Sequence, residues 1–353
     1  MLTACEPNPR AVCEDDPTDG SSSALDGQAR IVNFDDACHQ VARIDNDGRR
    51  IDAHDGEIRD FGGVYYLYGT NYECGFAWRT PGTPFCGFAS YASPDLLHWS
   101  DNGPLFDATT PTWQQRCDGS TYGCFRPHVV FNRTTSQYVL WINGYDGKIG
   151  YHVFQGATPE GPFAEVALPT LAVNGAAPTV GVNNGDENLF VDDDGTGYIT
   201  YTDWRSGGDI VVEELDRDLL SGTGRFTRLG LSHTEAPSLF RRQDVYYLVY
   251  SDPNCGFCSG TGSSYMTAAS PLGPWQPGGR ISSDSCGGQP TNVATFERDG
   301  VRTYLYQSDL WRNGEPNQAL ANYYWGPLSF DSRGAIARLR CLKAFAIDSV
   351  AMP

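Results

Sequence analysis

The sequence has little positive charge and no long apolar run. Only 25 Lys and Arg accompany 43 Asp and Glu in 353 residues, which gives a formal net charge of −18. Proteins bind nucleic acid through clustered Lys and Arg, so this class of partner is excluded. No stretch approaches the ~20 consecutive apolar residues of a transmembrane helix, and the sequence therefore predicts no such span.

Long apolar segments with helical spacing are also scarce. The chain has instead 40 glycines, 22 prolines and 12% aromatic residues. This mixture is typical of short strands joined by many turns. The composition predicts an all-β protein.

The 11 cysteines do not have the spacing of a zinc ribbon, because Cys255 and Cys258 stand alone as a C-x-x-C. So many cysteines are unusual in a reducing cytosol and favour disulfides in an oxidising compartment. Cys255 and Cys258 could form one tight bridge or belong to two separate bridges. Their connectivity stays open at this point.

The N-terminal segment reads as a tether. Leu2-Thr3-Ala4-Cys5 resembles the lipobox of a bacterial lipoprotein, although four residues can also match by chance. Lipid on Cys5 would attach the protein to a membrane and leave ten cysteines for five bridges. Residues 6–30 are polar, acidic and rich in Pro, Ser and Gly. We therefore expect a tether over 1–30 and a single catalytic domain over 31–353, secreted or at the cell surface and monomeric.

One strand pattern recurs five times, at intervals of roughly 50 to 70 residues. Its copies are GVYYLYGT, SQYVLWIN, GTGYITYTD, DVYYLVYSD and VRTYLYQSD, anchored on Tyr65, Tyr138, Tyr198, Tyr246 and Tyr304. Each copy is followed by a turn that leads to an aromatic residue, as in SPDLLHW and SPLGPW. Five such units predict a five-bladed β-propeller with four-stranded blades.

Three acids share one position in these units. Asp55, Asp186 and Glu235 each precede the anchor tyrosine of their unit by about 10 to 12 residues. The innermost strands of a propeller line one central channel, so equivalent positions converge there. The remaining two units carry Arg126-Pro127-His128 and Gln289 in this place. The sequence thus predicts a funnel with three carboxylates, one guanidinium and one amide.

Such a funnel has the groups needed for glycoside hydrolysis. One carboxyl group protonates the leaving oxygen, and a second activates water or attacks the sugar. A third carboxylate nearby raises the pKa of the acid by like-charge repulsion. Arg126 could neutralise charge or hold a sugar hydroxyl. Aromatic residues that could stack on sugar faces are Trp78, Trp204 and Trp311.

Three segments resemble the active-site motifs of glycoside hydrolase family 43. They are Asp55 with the strand Tyr65-Tyr66-Leu67-Tyr68-Gly69-Thr70, the run Asp186-Glu187-Asn188-Leu189-Phe190-Val191-Asp192-Asp193-Asp194-Gly195, and Glu235-Ala236-Pro237. The resemblance covers about residues 40–341. It implies a five-bladed propeller and inverting hydrolysis, with Asp55 as general base, Asp186 as the acid that tunes the pKa, and Glu235 as general acid.

A narrower resemblance is to the exo-β-1,3-galactanase branch. It rests on Asp45-Asn46-Asp47-Gly48, Ala53-His54, Arg126-Pro127, Gln289 and Ser308-Asp309-Leu310-Trp311. In that branch a glutamine replaces the base, which would be Gln289. This chain differs in having Asp55 where the branch usually has glycine and Phe125 where a glutamate is expected. The resemblance favours a galactan, and the differences favour Asp55 over Gln289 as base.

Several alternatives remain open from the sequence. Glu187 could be the inward acid in place of Asp186, depending on strand alternation. His54 and His128 could contact substrate or be satisfied core histidines. We expect no cofactor and no catalytic metal, although an ion could occupy the channel. An arabinofuranosidase or galactofuranosidase, or a non-catalytic carbohydrate-binding propeller, are the rival functions.

Overall fold

The computed structural model describes residues 13–16, 29–120, 122–144, 150–173, 184–252, 260–298, 300–312 and 315–346. Five antiparallel sheets follow one another along the chain, and in each sheet the spatial order of the strands is their sequence order. The structure is the predicted all-β, five-bladed propeller. Within the described residues, none of the helices has the length and apolar character needed to cross a membrane.

The strands and helices have the following bounds. Strand β1 (Arg30–Val32) precedes blade 1, which contains β2 (His54–Phe61), β3 (Val64–Thr70), β4 (Phe88–Ser93) and β5 (Ser100–Pro104). Helix α1 (Pro111–Arg116) leads to blade 2, with β6 (Cys124–Asn132), β7 (Gln137–Gly144), β8 (Gly150–Gly156) and β9 (Ala164–Ala167). Blade 3 contains β10 (Asn184–Val191), β11 (Gly197–Asp203), the 3₁₀ turn Trp204–Ser206, β12 (Asp209–Leu215) and β13 (Gly222–Arg228).

Blade 4 contains β14 (Glu235–Arg242), β15 (Val245–Asp252), β16 (Gly262–Ala268) and β17 (Gln276–Ser282). The 3₁₀ turn Ser285–Gly287 precedes blade 5, with β18 (Gln289–Arg298), β19 (Val301–Leu310) and β20 (Asn322–Pro327), and β21 (Ala344–Ala346) follows. Blade 5 therefore has three strands in its sheet instead of the predicted four. The ring of blades is closed next to blade 5. There β1 pairs with β21, and the Asn33 side chain hydrogen-bonds to the backbone N–H and C=O of Trp325 in β20.

The repeated tyrosines hold neighbouring blades together. All five lie on the second strand of their blade, as the repeat predicts. The Tyr65 ring packs on Phe296 of blade 5 with centroids 4.8 Å apart, and Tyr304 packs on Phe240 of blade 4 at 5.3 Å. Aromatic pairs of this kind contribute beyond their area burial, which explains why the pattern recurs once per blade.

A ring of buried polar side chains joins the inner strands across the channel. The members are Glu57, His128, Asn188, Ser238 and Asn292, one from each inner strand, and all are at most 4% exposed. Asn292 accepts from Asn188 Nδ2 at 3.1 Å and from Ser238 Oγ at 2.9 Å. The Nδ1 atom of His128 lies 3.0 Å from Glu57 Oε2. The channel is therefore filled by polar side chains at this level.

Four disulfides lie within the described residues, as the cysteine content predicts. They are Cys13–Cys38, Cys74–Cys86, Cys117–Cys124 and Cys286–Cys341. The first of them fastens the middle of the predicted tether to the body, where Glu14 also bonds Arg340 at 2.9 Å. Composition alone could not show this attachment. Cys5, Cys255 and Cys258 lie outside the described residues.

Candidate active site

All five inner strands have an irregular register near their N-terminal ends. The breaks lie between His54 and Glu57, Phe125 and His128, Asn184 and Glu187, Glu235 and Ser238, and Pro290 and Asn292. Asp55 and Arg126 have φ of +58°, and Ala236 has +49°. A left-handed backbone conformation is unfavourable for residues other than glycine, and such conformations cluster at functional sites. These bulges turn side chains out of the sheet and toward one funnel.

Asp55 is held in the funnel wall by three hydrogen bonds, accepting two and donating one, and is 5% exposed. Its Oδ1 accepts from Thr70 Oγ1 at 2.8 Å and from the Arg126 backbone N–H at 3.1 Å. Its own backbone N–H, freed from the ladder by the bulge, donates to Asp309 Oδ2. Asp309 therefore stabilises the backbone conformation that directs Asp55.

Arg126 links Asp55 to the second acid. Its Nη2 donates to Asp186 Oδ2 at 2.9 Å and its Nη1 donates to the Thr291 carbonyl at 3.2 Å. The same Asp186 oxygen accepts from the Ala236 N–H at 3.2 Å, directly beside Glu235. Asp186, with 20% of its side chain exposed, is thus the acid that lies between Arg126 and Glu235.

Glu235 and Gln289 form a hydrogen-bonded pair. Gln289 Nε2 donates to Glu235 Oε2 at 3.1 Å, and Gln289 Oε1 accepts from Trp311 Nε1 at 3.1 Å. Both ends of the amide are therefore engaged. Trp311, which is 5% exposed, orients Gln289, and Gln289 in turn orients Glu235.

His54 lies behind the funnel surface. It is fully buried, stacks on Tyr323 with ring centroids 4.8 Å apart, and lies 5.5 Å from the Trp311 ring. Its Nδ1 is 3.6 Å from Asp309 Oδ1 and its Nε2 is 3.5 Å from Asp52 Oδ1. Burial lowers the pKa of His54, but the carboxylates raise it by more, so the net shift is upward. The His54 imidazole therefore packs against Asp309 on the side away from the funnel.

The acids experience different environments. Burial and the like charge of Asp309 raise the pKa of Asp55 to about 7, although the opposite charge of Arg126 lowers it. Burial and the neighbouring Asp186 charge raise the pKa of Glu235 well above its ordinary value, against Arg126 and Gln289. A protonated acid and a carboxyl group that ionises near neutrality are the two states that acid–base hydrolysis requires.

The other residues that the sequence suggested for substrate contact are His128, Trp204 and Trp78. His128 is fully buried against Glu57 in the channel wall. Burial lowers its pKa, and Glu57 only partly opposes this. Trp204 is half-buried and begins the 3₁₀ turn that follows β11, whose last residue, Asp203, pairs with Asn184 at the start of β10. Trp78 stacks on Tyr122 at 5.7 Å, beside Arg79.

Sequence reasoning gave no role to Thr70 or Asp309, and it left Glu187 open as an alternative to Asp186. Glu187 is fully buried, and neither of its oxygens has a hydrogen-bond partner within the described part of the chain. Burial and the adjacent Asp186 raise its pKa well above its ordinary value. Thr70 is the last residue of β3 and Asp309 the last but one of β19, so antiparallel pairing brings them to the funnel. Strand pairing was the signal that could have found them.

The described residues contain no group of three or more His, Cys, Asp or Glu placed to hold a metal ion. The residues that converge are carboxyl groups, a guanidinium, an amide and an indole. An ion in the channel stays an untested prediction.

A five-bladed propeller with three convergent carboxyl groups defines a candidate glycosidase. Residues 49–293 match the family "Glycosyl hydrolases family 43". The chain belongs to this family and is an inverting glycoside hydrolase with a carbohydrate substrate.

Similar proteins include glycosidases named for different substrates. A β-D-galactofuranosidase from Aspergillus niger is 28% identical over 263 residues, covering 71% of this chain and 72% of the relative. A family 43 β-1,3-galactosidase solved with galactodeoxynojirimycin is 25% identical, with a TM-score of 0.67 over 84% of this chain and 96% of that one. An exo-β-1,3-galactanase from Phanerochaete chrysosporium, 22% identical with a TM-score of 0.73 over 92% of this chain and 69% of that one, shares the fold.

Proposed function

We propose that this hydrolase releases galactose from a β-1,3-linked galactan, with Glu235 as general acid and Asp55 as general base. The observation that carries the proposal is the paired environment of these two carboxyl groups. Glu235 is kept protonated by burial and by Asp186, whereas Asp55 ionises near pH 7. Galactose is favoured as the sugar because the β-1,3-galactosidase matches 84% of this chain over 96% of its own length.

The reaction assigns a separate task to each acid. Glu235 donates a proton to the leaving glycosidic oxygen while Asp55 takes one from a water molecule on the opposite face of the sugar. Asp186 keeps Glu235 protonated before the reaction and remains paired with Arg126 throughout. Inversion requires ~6.5–9.5 Å between acid and base, and Arg126 with Asp186 lies between the two in the funnel. This mechanism needs no cofactor.

The position of Gln289 supports Asp55 as the base. An inverting base must be separated from the acid by a sugar and a water molecule. Gln289 lies within hydrogen-bond distance of Glu235 and is held there by Trp311. Gln289 is therefore placed to orient the acid and to contact the substrate near it, with His54 and His128 as supporting residues.

The test uses wild type, Glu235→Gln, Asp55→Asn and Gln289→Ala on aryl β-D-galactopyranoside and on β-1,3-galactan. We expect Glu235→Gln to lose about 10²–10⁴-fold in kcat, with smaller losses for substrates whose leaving group needs no proton. NMR of the first-formed product should show the inverted anomer. Equal activity of wild type and Glu235→Gln, or none in either, would overturn the proposal. Retained activity in Asp55→Asn would assign the base to Gln289.

A second candidate is a galactofuranosidase, or a related arabinofuranosidase, since the Aspergillus niger relative is a β-D-galactofuranosidase. Pocket shape selects the sugar, whereas the acid pair does not. Aryl β-D-galactofuranoside and α-L-arabinofuranoside, with arabinan and xylan, complete the substrate panel. Faster cleavage of a furanoside would replace the galactan assignment. Binding without cleavage of any substrate would favour the non-catalytic propeller.

We also propose a location outside the cytosol. The four disulfides are typical of an oxidising compartment. Lipid on Cys5 remains a prediction, and mass spectrometry of the native N-terminus would test it. Light scattering would test the predicted monomer.

A further inference from the structure

A second cavity of about 540 Å³ lies at the opposite mouth of the propeller channel. Residues from the C-terminal halves of β2, β6, β10, β14 and β18 line it, so it is formed jointly by all five blades. Its volume is in the range of small-molecule binding sites. None of the acids of the active site contributes to it.

This cavity is separate from the active site. β2 runs for eight residues from the funnel to the cavity, which is a distance of ~23 Å at ~3.3 Å per residue. The buried ring that contains Glu57, His128 and Asn292 fills the channel between the two mouths. A ligand in the cavity therefore cannot reach Asp55 or Glu235, and the cavity can bind but cannot hydrolyse.

Part of the cavity wall is aromatic and open. Phe61, Phe131, Tyr138 and Phe190 line it and are each half-buried. The Tyr138 ring centroid lies 5.1 Å from Phe61 and 4.8 Å from Phe131, so three rings form one continuous surface. Ring faces of this kind pack against the C–H faces of sugars.

The arginines and acids that line the cavity are equal in number, and three of the arginines are held in ion pairs. Four arginines and four acids line it, so their formal charges cancel: Arg59, Arg133, Arg241 and Arg302 with Asp60, Asp192, Asp193 and Glu297. Arg241 Nη1 lies 3.0 Å from Asp192 Oδ1, Arg59 Nε lies 2.7 Å from Glu57 Oε2, and Arg302 pairs with Glu297. Fixed donors and acceptors without net charge match hydroxyl groups better than a charged ligand.

We propose that this cavity is a second, non-catalytic binding site for a neutral saccharide, with the Phe61–Tyr138–Phe131 surface as its stacking platform. The choice of galactan as the saccharide rests on the proposed function. Bound here, another segment of the polysaccharide would keep the enzyme on its substrate while the funnel cuts chain ends.

The test measures binding and catalysis separately. Affinity electrophoresis of the full chain in gels that contain soluble β-1,3-galactan uses Glu235→Gln as parent, with added Phe131→Ala or Arg133→Glu. Phe226→Ala is the matched control, because Phe226 lies on β13 outside the cavity and is 44% exposed. Loss of one stacking ring should weaken galactan binding by about fivefold, while the control binds like the parent.

The same three substitutions in the active enzyme should leave kcat/KM for an aryl glycoside unchanged. Arg133 is an exposed side chain, so Arg133→Glu decides the matter if Phe131→Ala fails to fold. Cavity variants that bind galactan as the parent does, or a parent that is not retarded at all, overturn the second site. Failure of the proposed function appears elsewhere, as loss of hydrolysis of galactose substrates by the wild type.

Discussion

Two substitutions beside Asp55 should move the pH profile in opposite directions. The acidic limb of kcat/KM reports the group of the free enzyme that must be ionised, which we assign to Asp55. The pKa of Asp55 is raised to about 7, so wild-type activity should fall below neutral pH. Thr70 and Asp309 act on this pKa with opposite sign.

Thr70→Val should move the acidic limb upward. The hydroxyl donates to Asp55 Oδ1 at 2.8 Å, and both residues are buried. A hydrogen bond to a charged group contributes about 1.5–3 kcal/mol, and one pKa unit corresponds to about 1.4 kcal/mol. The limb should therefore rise by about one to two pH units, and activity at pH 6 should fall by about 10- to 100-fold.

Asp309→Asn should move the same limb downward. The Asn side-chain oxygen can still accept the Asp55 N–H, so the backbone conformation is retained, while the like charge that opposes ionisation of Asp55 is removed. We expect a decrease of about one unit, and more activity than wild type at pH 6 relative to pH 8.

The assay is kcat/KM for an aryl galactoside from pH 4 to pH 9. His54 also contacts Asp309, whereas the Thr70 hydroxyl bonds Asp55, so Thr70→Val separates the two titrations. Equal shifts in the same direction, or a wild-type limb near pH 4, would refute the assignment of Asp55 as base.

Three further predictions concern stability. Between pH 3.8 and about 7 the folded state binds more protons at Asp55 than the unfolded state does, so the free energy of unfolding falls as pH rises. In urea unfolding, Asp55→Asn should therefore be more stable than wild type at pH 8, by roughly 4 kcal/mol. Near pH 4 the two proteins should be equally stable. Arg126→Met leaves Asp186 without its partner and should cost about 3–5 kcal/mol in urea unfolding at pH 7; an unchanged midpoint would contradict the pairing. Replacing Cys13 and Cys38 by serine should lower the free energy of unfolding by about 3 kcal/mol relative to wild type. When both proteins are assayed with reductant, this difference should vanish.

The fold was predictable because the repeat reflects a contact made once per blade. Tyr65 and Tyr304 pack on aromatic residues of the adjacent inner strand, and the same need recurs around the ring. The three-stranded blade 5 was not predictable in this way. Its closure depends on Asn33 and on the pairing of β1 with β21, which join residues about 300 positions apart. No local pattern encodes such a pairing.

The candidate active site was predictable only to the level of a blade position. Equivalent placement brought Asp55, Asp186 and Glu235 to one funnel, but the bulges decide which side chain turns inward. Strict alternation cannot locate a bulge, so Asp186 and Glu187 could not be told apart from the sequence. In the structure Asp186 bonds Arg126, while Glu187 is buried without a partner among the described residues.

The choice between Asp55 and Gln289 shows what contact geometry adds to residue type. Both residues lie at the N-terminal ends of inner strands, and both can hydrogen-bond water. Gln289 is engaged at both ends, by Trp311 and by Glu235, so moving it to the opposite face of a sugar would break two hydrogen bonds. Asp55 is held by Thr70 and Arg126 at one oxygen, Oδ1, which leaves Oδ2 for a water molecule. The base should therefore be Asp55, and Gln289 should serve the acid.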